Sequence, residues 1–246
     1  MGDIIRGLFK DRSDSALRCS AVIAAGGIGS RMNLSFNKIF LAVDDKPILA
    51  YTLDAFEDTL CVEEIILVCN ENDIPLCHEV VNDFEYSKVK SIVKGGQTRQ
   101  ESIQIGLKEV SEEYDLIITH DAARPLVTSD LITAVAQCAD ETGAATAGVK
   151  PVDTVKILQG NQIKDTLDRD CLILVQTPQA FRKSVLVRAH EHAKEEHIQG
   201  TDDCVLVEKI GQTVTAVPGN YNNIKLTTPD DFITISAYLN MKEEFE

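Results

Sequence analysis

The chain predicts an α/β fold: a mostly parallel, Rossmann-like sheet with helices on both faces and a protruding β-hairpin arm. Short β-branched apolar runs alternate with helix-length amphipathic segments, which is the pattern of βαβ units. A glycine-rich loop follows the first apolar run, and a His-Asp-Ala-Ala-Arg-Pro segment follows a later one. Open parallel sheets bind ligands beyond the carboxyl ends of their strands, so both segments stand where a site belongs.

Residues 1–18 mix Arg6, Lys10, Asp11, Arg12 and Asp14 with few apolar positions. They lack the apolar core and cleavage site of a signal peptide and are read as a flexible or loosely docked extension. The remaining residues, 19–246, suit a single α/β domain with a sizeable core. Ala21-Val22-Ile23-Ala24 reads as the first buried strand, followed by strands at 64–69, 88–93, 115–119 and 144–149. Helical patterns lie near 47–58, 73–84, 98–111 and 129–141. Val152 to Leu158 is strand-like, Gln159-Gly160-Asn161-Gln162 supplies a turn, and Ile163 to Leu167 alternates again, which reads as a hairpin. Its apolar area is too small for it to stand alone, so this arm, about 152–170, packs on its own domain or on a second subunit. Thr228-Pro229-Asp230-Asp231 opens a last helix near 229–242. The chain has no internal repeat, low-complexity tract or interdomain linker.

The formal net charge of −15 argues against nonspecific nucleic-acid binding, which needs a basic surface. It leaves room for a small phosphorylated ligand in a locally positive pocket. The seven cysteines are odd in number and show no C-x-x-C spacing. They read as free thiols packed as small hydrophobes in a reducing cytoplasm. No apolar run reaches transmembrane length, so no membrane partner is expected.

The loop Ala25-Gly26-Gly27-Ile28-Gly29-Ser30-Arg31-Met32, with Lys38 after it, carries the strongest chemistry. Its glycines let backbone N–H groups approach an anion, and Arg31 and Lys38 add full positive charge. Met32 stands where a dinucleotide fingerprint needs its third glycine. No Gly-Lys-Ser/Thr triplet closes the loop as in a Walker motif. The loop alone reads either as a nucleoside triphosphate site or as a tight turn beside an ordinary surface Arg and Lys.

Gly95-Gly96-Gln97-Thr98-Arg99-Gln100-Glu101-Ser102 can present backbone and side-chain groups to a flat base edge. It also reads as a helix start, with Thr98 as cap and Glu101 as the third helical residue. In the His120-to-Pro125 segment, Asp121 can hydrogen-bond a sugar hydroxyl or orient a cation, or can simply pair with Arg124. His120 reads as a packed residue and is given no role. Thr177, Thr201 and Lys225 are natural phosphate partners, while Asp202 and Asp203 can cap the helix after them. His190 and His192 are not at metal-binding spacing and read as part of a solvated helix face.

These segments occur together and in order, along with Pro-Val-x-Asp-Thr at 151–154, Asp168-Arg169, Thr-Pro-Gln-x-Phe at 177–181 and Asn-Ile-Lys-x-Thr-x-Pro-Asp-Asp at 223–231. The set resembles the 2-C-methyl-D-erythritol 4-phosphate cytidylyltransferase family from about Cys19 to the final helix. The resemblance implies a nucleotidyltransferase fold, CTP with Mg²⁺ held mainly by the CTP phosphates, no protein metal ligand, and a homodimer. It implies that Ala25, Gly26, Gly27 and Gly29 line the CTP, that Gly96, Gln97 and Ser102 meet the cytosine, and that Ala122 and Ala123 meet the nucleoside. Arg31 and Lys38 would act on phosphate charge, with Arg169 and Lys225 as the other catalytic cations. Asp121, Arg124, Asp153, Thr154, Thr177 and Thr201 would hold the sugar phosphate.

Three positions depart from the family's common pattern: Gly26 in place of Ala, Asn37 in place of Pro, and Gln97 in place of an acid. Ala25 to Met32 also resembles the sister family acting on ribitol 5-phosphate, whereas His-Asp-Ala-Ala-Arg-Pro and Asp168-Arg169 favour methylerythritol phosphate. A nucleotide-sensing module without turnover is the alternative from another class; the cations Arg31, Lys38, Arg169 and Lys225 together argue against it.

Overall fold

The strand β1 (Cys19–Ala24) leads into a 3₁₀ turn at Lys38–Phe40 and a two-residue ribbon of β2 (Ala42–Val43) and β3 (Lys46–Pro47). The structure, a computed structural model, describes residues 17–27, 32 and 35–243. Gly29 and Arg31 of the glycine loop, and residues 1–16 of the expected extension, lie outside the described residues. After the ribbon come α1 (Ile48–Glu57), β4 (Val62–Cys69), α2 (Ile74–Asp83), β5 (Val89–Lys94), α3 (Arg99–Leu107) and β6 (Leu116–Asp121). Next are α4 (Ser129–Thr142), β7 (Ala144–Val149), the arm strands β8 (Lys156–Gln159) and β9 (Gln162–Thr166), and β10 (Leu174–Arg182). The chain closes with α5 (Lys183–Glu195), α6 (Asp203–Lys209), β11 (Thr215–Pro218) and α7 (Pro229–Glu243).

The main sheet has the order β11-β7-β10-β6-β1-β4-β5. β1 pairs in parallel with β4 and β6, β4 with β5, and β7 with β11. β10 alone runs antiparallel, between β6 and β7. The arm explains this. The chain leaves β7 at its carboxyl end, makes the β8–β9 hairpin there, and re-enters without a crossover, so the next strand runs backwards. As a result the first residues of β10, including Thr177, lie at the ligand end of the sheet.

Alternate residues of each strand face opposite helix layers. Ala21, Ile23, Ile65 and Leu67 pack with α1, α2, α4 and α7 in one core, where Leu53, Phe56 and Ile132 are fully buried. Val22, Ile66 and Val68 pack with α3, α5 and α6 in the other, where Ile103 and Leu186 are fully buried. Gly106 is required where α3 crosses the sheet: a Cβ there would meet Val22 Cγ1 and lie 2.8 Å from Val68 Cγ2.

The structure adjusts four expectations. β6 runs through Asp121, so His120 and Asp121 are strand residues rather than the start of a loop. The hairpin is shorter than expected and wholly exposed, with Gly160 at φ +60° in its turn. Arg18, expected in a loose extension, is tied to Glu63 at 2.8 Å and to Glu113 at 3.0 Å. His190 is not on a solvated face: it is 2% exposed and meets Asp203 at 3.1 Å. Leu186, His190 and Ala193 share the i, i+4, i+7 stripe of α5, which turns the imidazole into the core.

Candidate active site

Two adjoining cavities open at the carboxyl ends of β1 and β6. The larger, about 320 Å³, has one wall from Ala25, Gly26 and Gly27 and another from Gly96, Gln97 and Ser102. Lys38 and Ala123 also line it. The smaller, about 260 Å³, is lined by Arg124, Thr177 and Thr201. Arg99, Asp121 and Lys225 line both and form the partition between them.

Local sequence builds each wall. The loop after β5 turns into α3, where Thr98 Oγ1 accepts from the Glu101 N–H at 3.1 Å as the helix cap. Glu101 reaches back, but to the N–H of Gln97 at 2.6 Å rather than to that of the cap residue. Ser102 Oγ accepts from the Gly96 N–H at 3.1 Å and donates to the Thr98 carbonyl at 2.9 Å. The hydroxyl expected to meet a base therefore also fastens the wall. A side chain at Gly96 has no room, because its Cβ would run into the Glu101 Cβ.

On the opposite wall, Asn37 does more than substitute for a proline. Its Nδ2 donates to the Ala25 carbonyl at 2.8 Å and to Asp73 Oδ2 at 2.9 Å, and its Oδ1 accepts from the Ile39 N–H. One buried amide thus joins the glycine loop to the turn that carries Lys38.

The partition is ionic. Asp121 is nearly buried and meets Arg99 Nε at 2.9 Å and Lys225 Nζ at 2.7 Å, with Arg124 Nε 3.7 Å away. Burial opposes ionisation of this carboxyl, but Arg99 and Lys225 overcome it and hold Asp121 below the usual carboxylate range. The Asp121 N–H donates to Thr177 Oγ1 at 3.1 Å, so β10 also fixes its backbone. Arg124 Nη1 donates to the Asn223 carbonyl at 2.7 Å, tying the segment of Lys225 to β6. His120, fully buried against Phe56 at 5.0 Å, is pushed down to about 3 by desolvation and stays neutral, consistent with a packing residue.

A protein-family model for 2-C-methyl-D-erythritol 4-phosphate cytidylyltransferase matches residues 19–241. The chain belongs to this family. A cytidylyltransferase of that name from Clostridium botulinum strain Langeland is 43% identical over 215 residues, covering 87% of this chain and 94% of its own. One from Caldanaerobacter subterraneus is 42% identical, covering 91% and 99%. Among solved structures, the 4-diphosphocytidyl-2C-methyl-D-erythritol synthase of Anaerococcus prevotii superposes with a TM-score of 0.80 at 31% identity, covering 92% of this chain and all of its own. The Thermus thermophilus cytidylyltransferase does so at 0.75 and 29%, covering 91% and 99%.

In this member of the cytidylyltransferase family, several expected site residues are not brought to the cavities. Ala122 is fully buried and lines neither. Its N–H donates to the Ala24 carbonyl and its carbonyl accepts from Thr52 Oγ1, so it forms the floor beneath Ala123. Asp153, Thr154 and Arg169 also line neither cavity of their own chain. Arg169 is exposed beside the arm, and its Nη1 donates to the Val152 carbonyl at 2.6 Å.

Two participants were missed from the sequence, Arg99 and Asp203. Arg99 Nη1 donates to Asp203 Oδ2 at 2.8 Å as well as binding Asp121. The signal was a cation in the first turn of a helix, where the macrodipole disfavours it unless carboxylates face it. Asp202, not Asp203, caps α6, accepting from the Val205 N–H at 3.0 Å.

Proposed function

We propose that this protein transfers CMP from CTP to 2-C-methyl-D-erythritol 4-phosphate. The products are CDP-methylerythritol and pyrophosphate, a step of non-mevalonate isoprenoid precursor synthesis. The observation that carries this reading is the shared partition: two adjoining cavities meet at Arg99, Asp121 and Lys225. A nucleotide in the larger cavity and a sugar phosphate in the smaller bring the α-phosphorus and the attacking phosphate together at that wall.

A phosphomonoester oxygen attacks the α-phosphorus in line, the bond to the β-phosphate oxygen breaks, and pyrophosphate leaves. The second pKa of a phosphomonoester is about 6, so the nucleophile is largely ionised at neutral pH and no side-chain base is needed. The obstacle is repulsion between anions, which fixed cations and backbone donors relieve. In this reading Lys38 and Arg31 act on the triphosphate. Lys225, with Arg124, Thr177 and Thr201, receives the acceptor, and Gly96, Gln97 and Ser102 face the cytosine.

Magnesium enters this proposal as part of the nucleotide. Among the described residues no three His, Cys, Asp or Glu side chains converge as a cation site. Asp121, the carboxylate among the described residues of the larger cavity, is engaged by Arg99 and Lys225. The donor set does not build a protein magnesium site, and triphosphate oxygens and water suit this ion better.

The proposed assembly is a homodimer. The arm and its flanks expose Val152, Leu158, Ile163 and Leu174, each more than half accessible, as an apolar surface next to Arg169. An exposed apolar patch of this kind marks an interaction site, and a second copy covering it would place Arg169, Asp153 and Thr154 by the partner's acceptor cavity. The cytoplasm is the proposed compartment, because all seven cysteines are unpaired and Cys171 is exposed. No helix among the described residues is long and apolar enough to cross a membrane.

Pyrophosphate release from Mg-CTP, with methylerythritol phosphate, ribitol 5-phosphate or no acceptor, tests the assignment. Release with the first acceptor is expected. Turnover only with ribitol 5-phosphate would move the acceptor, and nucleotide binding without turnover would make the protein a sensing module.

A further inference from the structure

We infer that Arg99 and Asp203 form a buried strut that positions the Asp121 carboxylate, and through it Lys225, for the acceptor. The inference rests on the reaction proposed above. Asp203 is 1% exposed, and both its oxygens are occupied. Oδ2 accepts from Arg99 Nη1 at 2.8 Å and from Thr119 Oγ1 at 2.8 Å, and Oδ1 faces His190 Nε2 at 3.1 Å. Its N–H donates to Gln179 Oε1 at 3.2 Å. Strand β6 and helices α3 and α5 therefore converge on one carboxylate of α6, and β10 holds its backbone. Helix capping does not account for it, because Asp202 already caps α6.

Arg99 carries that anchorage to the site. Its Nε and Nη1 are committed to Asp121 and Asp203, and its Nη2 is enclosed without a partner. Both of its ion pairs are with carboxylates of the protein, so it acts by holding them. Its planar fork can span two carboxylates in fixed geometry, which a single ammonium cannot. Asp121 Oδ2 then remains for Lys225 at 2.7 Å. Arg99 and Asp203 are positioning residues: they set where the Lys225 ammonium stands in the wall between the cavities.

A kinetic double-mutant cycle on the intact enzyme tests this, with Arg99→Lys, Asp203→Asn and Asp121→Asn read separately for CTP and for methylerythritol phosphate. Arg99→Lys is expected to lower kcat/KM for the acceptor about a hundredfold, the scale of a misplaced reacting group. The KM for CTP should stay within about twofold. Asp203→Asn keeps the shape and one acceptor, so it should lose less. In the Asp121→Asn background, Arg99→Lys should cost little more, because residues acting through one another are non-additive. Its full cost recurring in that background, or an equal rise in the KM for CTP, overturns the strut.

If Arg99→Lys fails to fold, Asp203→Asn carries the same cycle. A wild-type enzyme inactive with methylerythritol phosphate would overturn the proposed reaction instead. The strut is then read without turnover, from the Arg99–Asp121 coupling in urea unfolding, and the absence of coupling there refutes it.

Discussion

Asp121→Asn is the sharpest perturbation of this protein's charge balance, because it removes a nearly buried carboxylate from among three cations. Arg99 and Lys225 lie 2.9 and 2.7 Å from its oxygens and Arg124 lies 3.7 Å away. Lys225 is 41% exposed, so its share is screened, and the loss falls mainly on Arg99 and Arg124. Breaking a buried pair from one side costs about 3 kcal/mol at neutral pH. A domain stable by about 5–15 kcal/mol survives this.

The pH dependence follows from linkage. The folded-state pKa of Asp121 is depressed: burial opposes ionisation, and Arg99 and Lys225 outweigh it. Its contribution is therefore complete above the unfolded carboxylate's pKa near 3.9 and declines as pH falls through and below that value. At pH 3 the loss amounts to about 1.3 kcal/mol, so the gap between wild type and variant should narrow from about 3 to roughly 2 kcal/mol. Urea unfolding of both proteins at pH 7, 5, 4 and 3 measures it. A gap absent at pH 7, or one that widens on acidification, would refute the ionic account of the partition.

Lys38→Ala should lower kcat about a hundredfold in a folded protein, as loss of a preorganised charge contact does, while Lys225→Ala should mainly raise the acceptor KM; steady-state kinetics separates the two. If the cavity between the Gly26 and Gly96 walls seats cytosine as proposed, CTP should be turned over far faster than ATP or GTP; comparable purine turnover under saturating acceptor would defeat this. Gly106→Ala should lose about 1–2 kcal/mol, because its Cβ meets Val22 and Val68 and overpacking outweighs the helix propensity gained; the thermal midpoint reads it. Lys38→Ala and Arg169→Ala homodimers should each be nearly inactive, while co-refolded mixtures should recover roughly a quarter of wild-type sites if each site draws on two chains. No recovery despite demonstrated subunit exchange would show that Arg169 does not serve a partner's site.

Where the sequence was legible, local physics decided the outcome. The strand-like runs at 64–69, 88–93 and 144–149 became β4, β5 and β7, shifted by no more than two residues. The Thr98 cap formed as its spacing predicts. What escaped was tertiary. Nothing local says that β10 runs backwards; that follows from where the arm leaves and rejoins the sheet. The charged neighbours Glu191 and Lys194 mask the burial of His190, for which the helical stripe with Leu186 and Ala193 is the better guide. Arg99 and Asp203 are 104 positions apart, and only the packing of α3 and α6 on α5 brings them together.

The contrast between the whole chain and its site follows the same logic. Overall, 39 acidic residues outnumber 24 basic ones. Among the described residues lining the two cavities the balance reverses: Lys38, Arg99, Arg124 and Lys225 stand against Asp121 and Asp202. Exposed charges farther than about 8 Å are screened at physiological ionic strength, so the distant carboxylates do little against a polyanion in the cavity. Near the partition the internal pairing matters more. Asp202 is spent on the α6 cap and on Gln179, and Asp121 is shared among three cations. The surplus is still modest for two phosphorylated substrates meeting at one wall. On the proposed reading the remainder comes from Arg31 in the glycine loop, magnesium carried by the nucleotide, and Arg169 from a partner's arm. The exposed apolar arm beside Arg169 is then the means by which a strongly acidic chain brings a further cation to the acceptor.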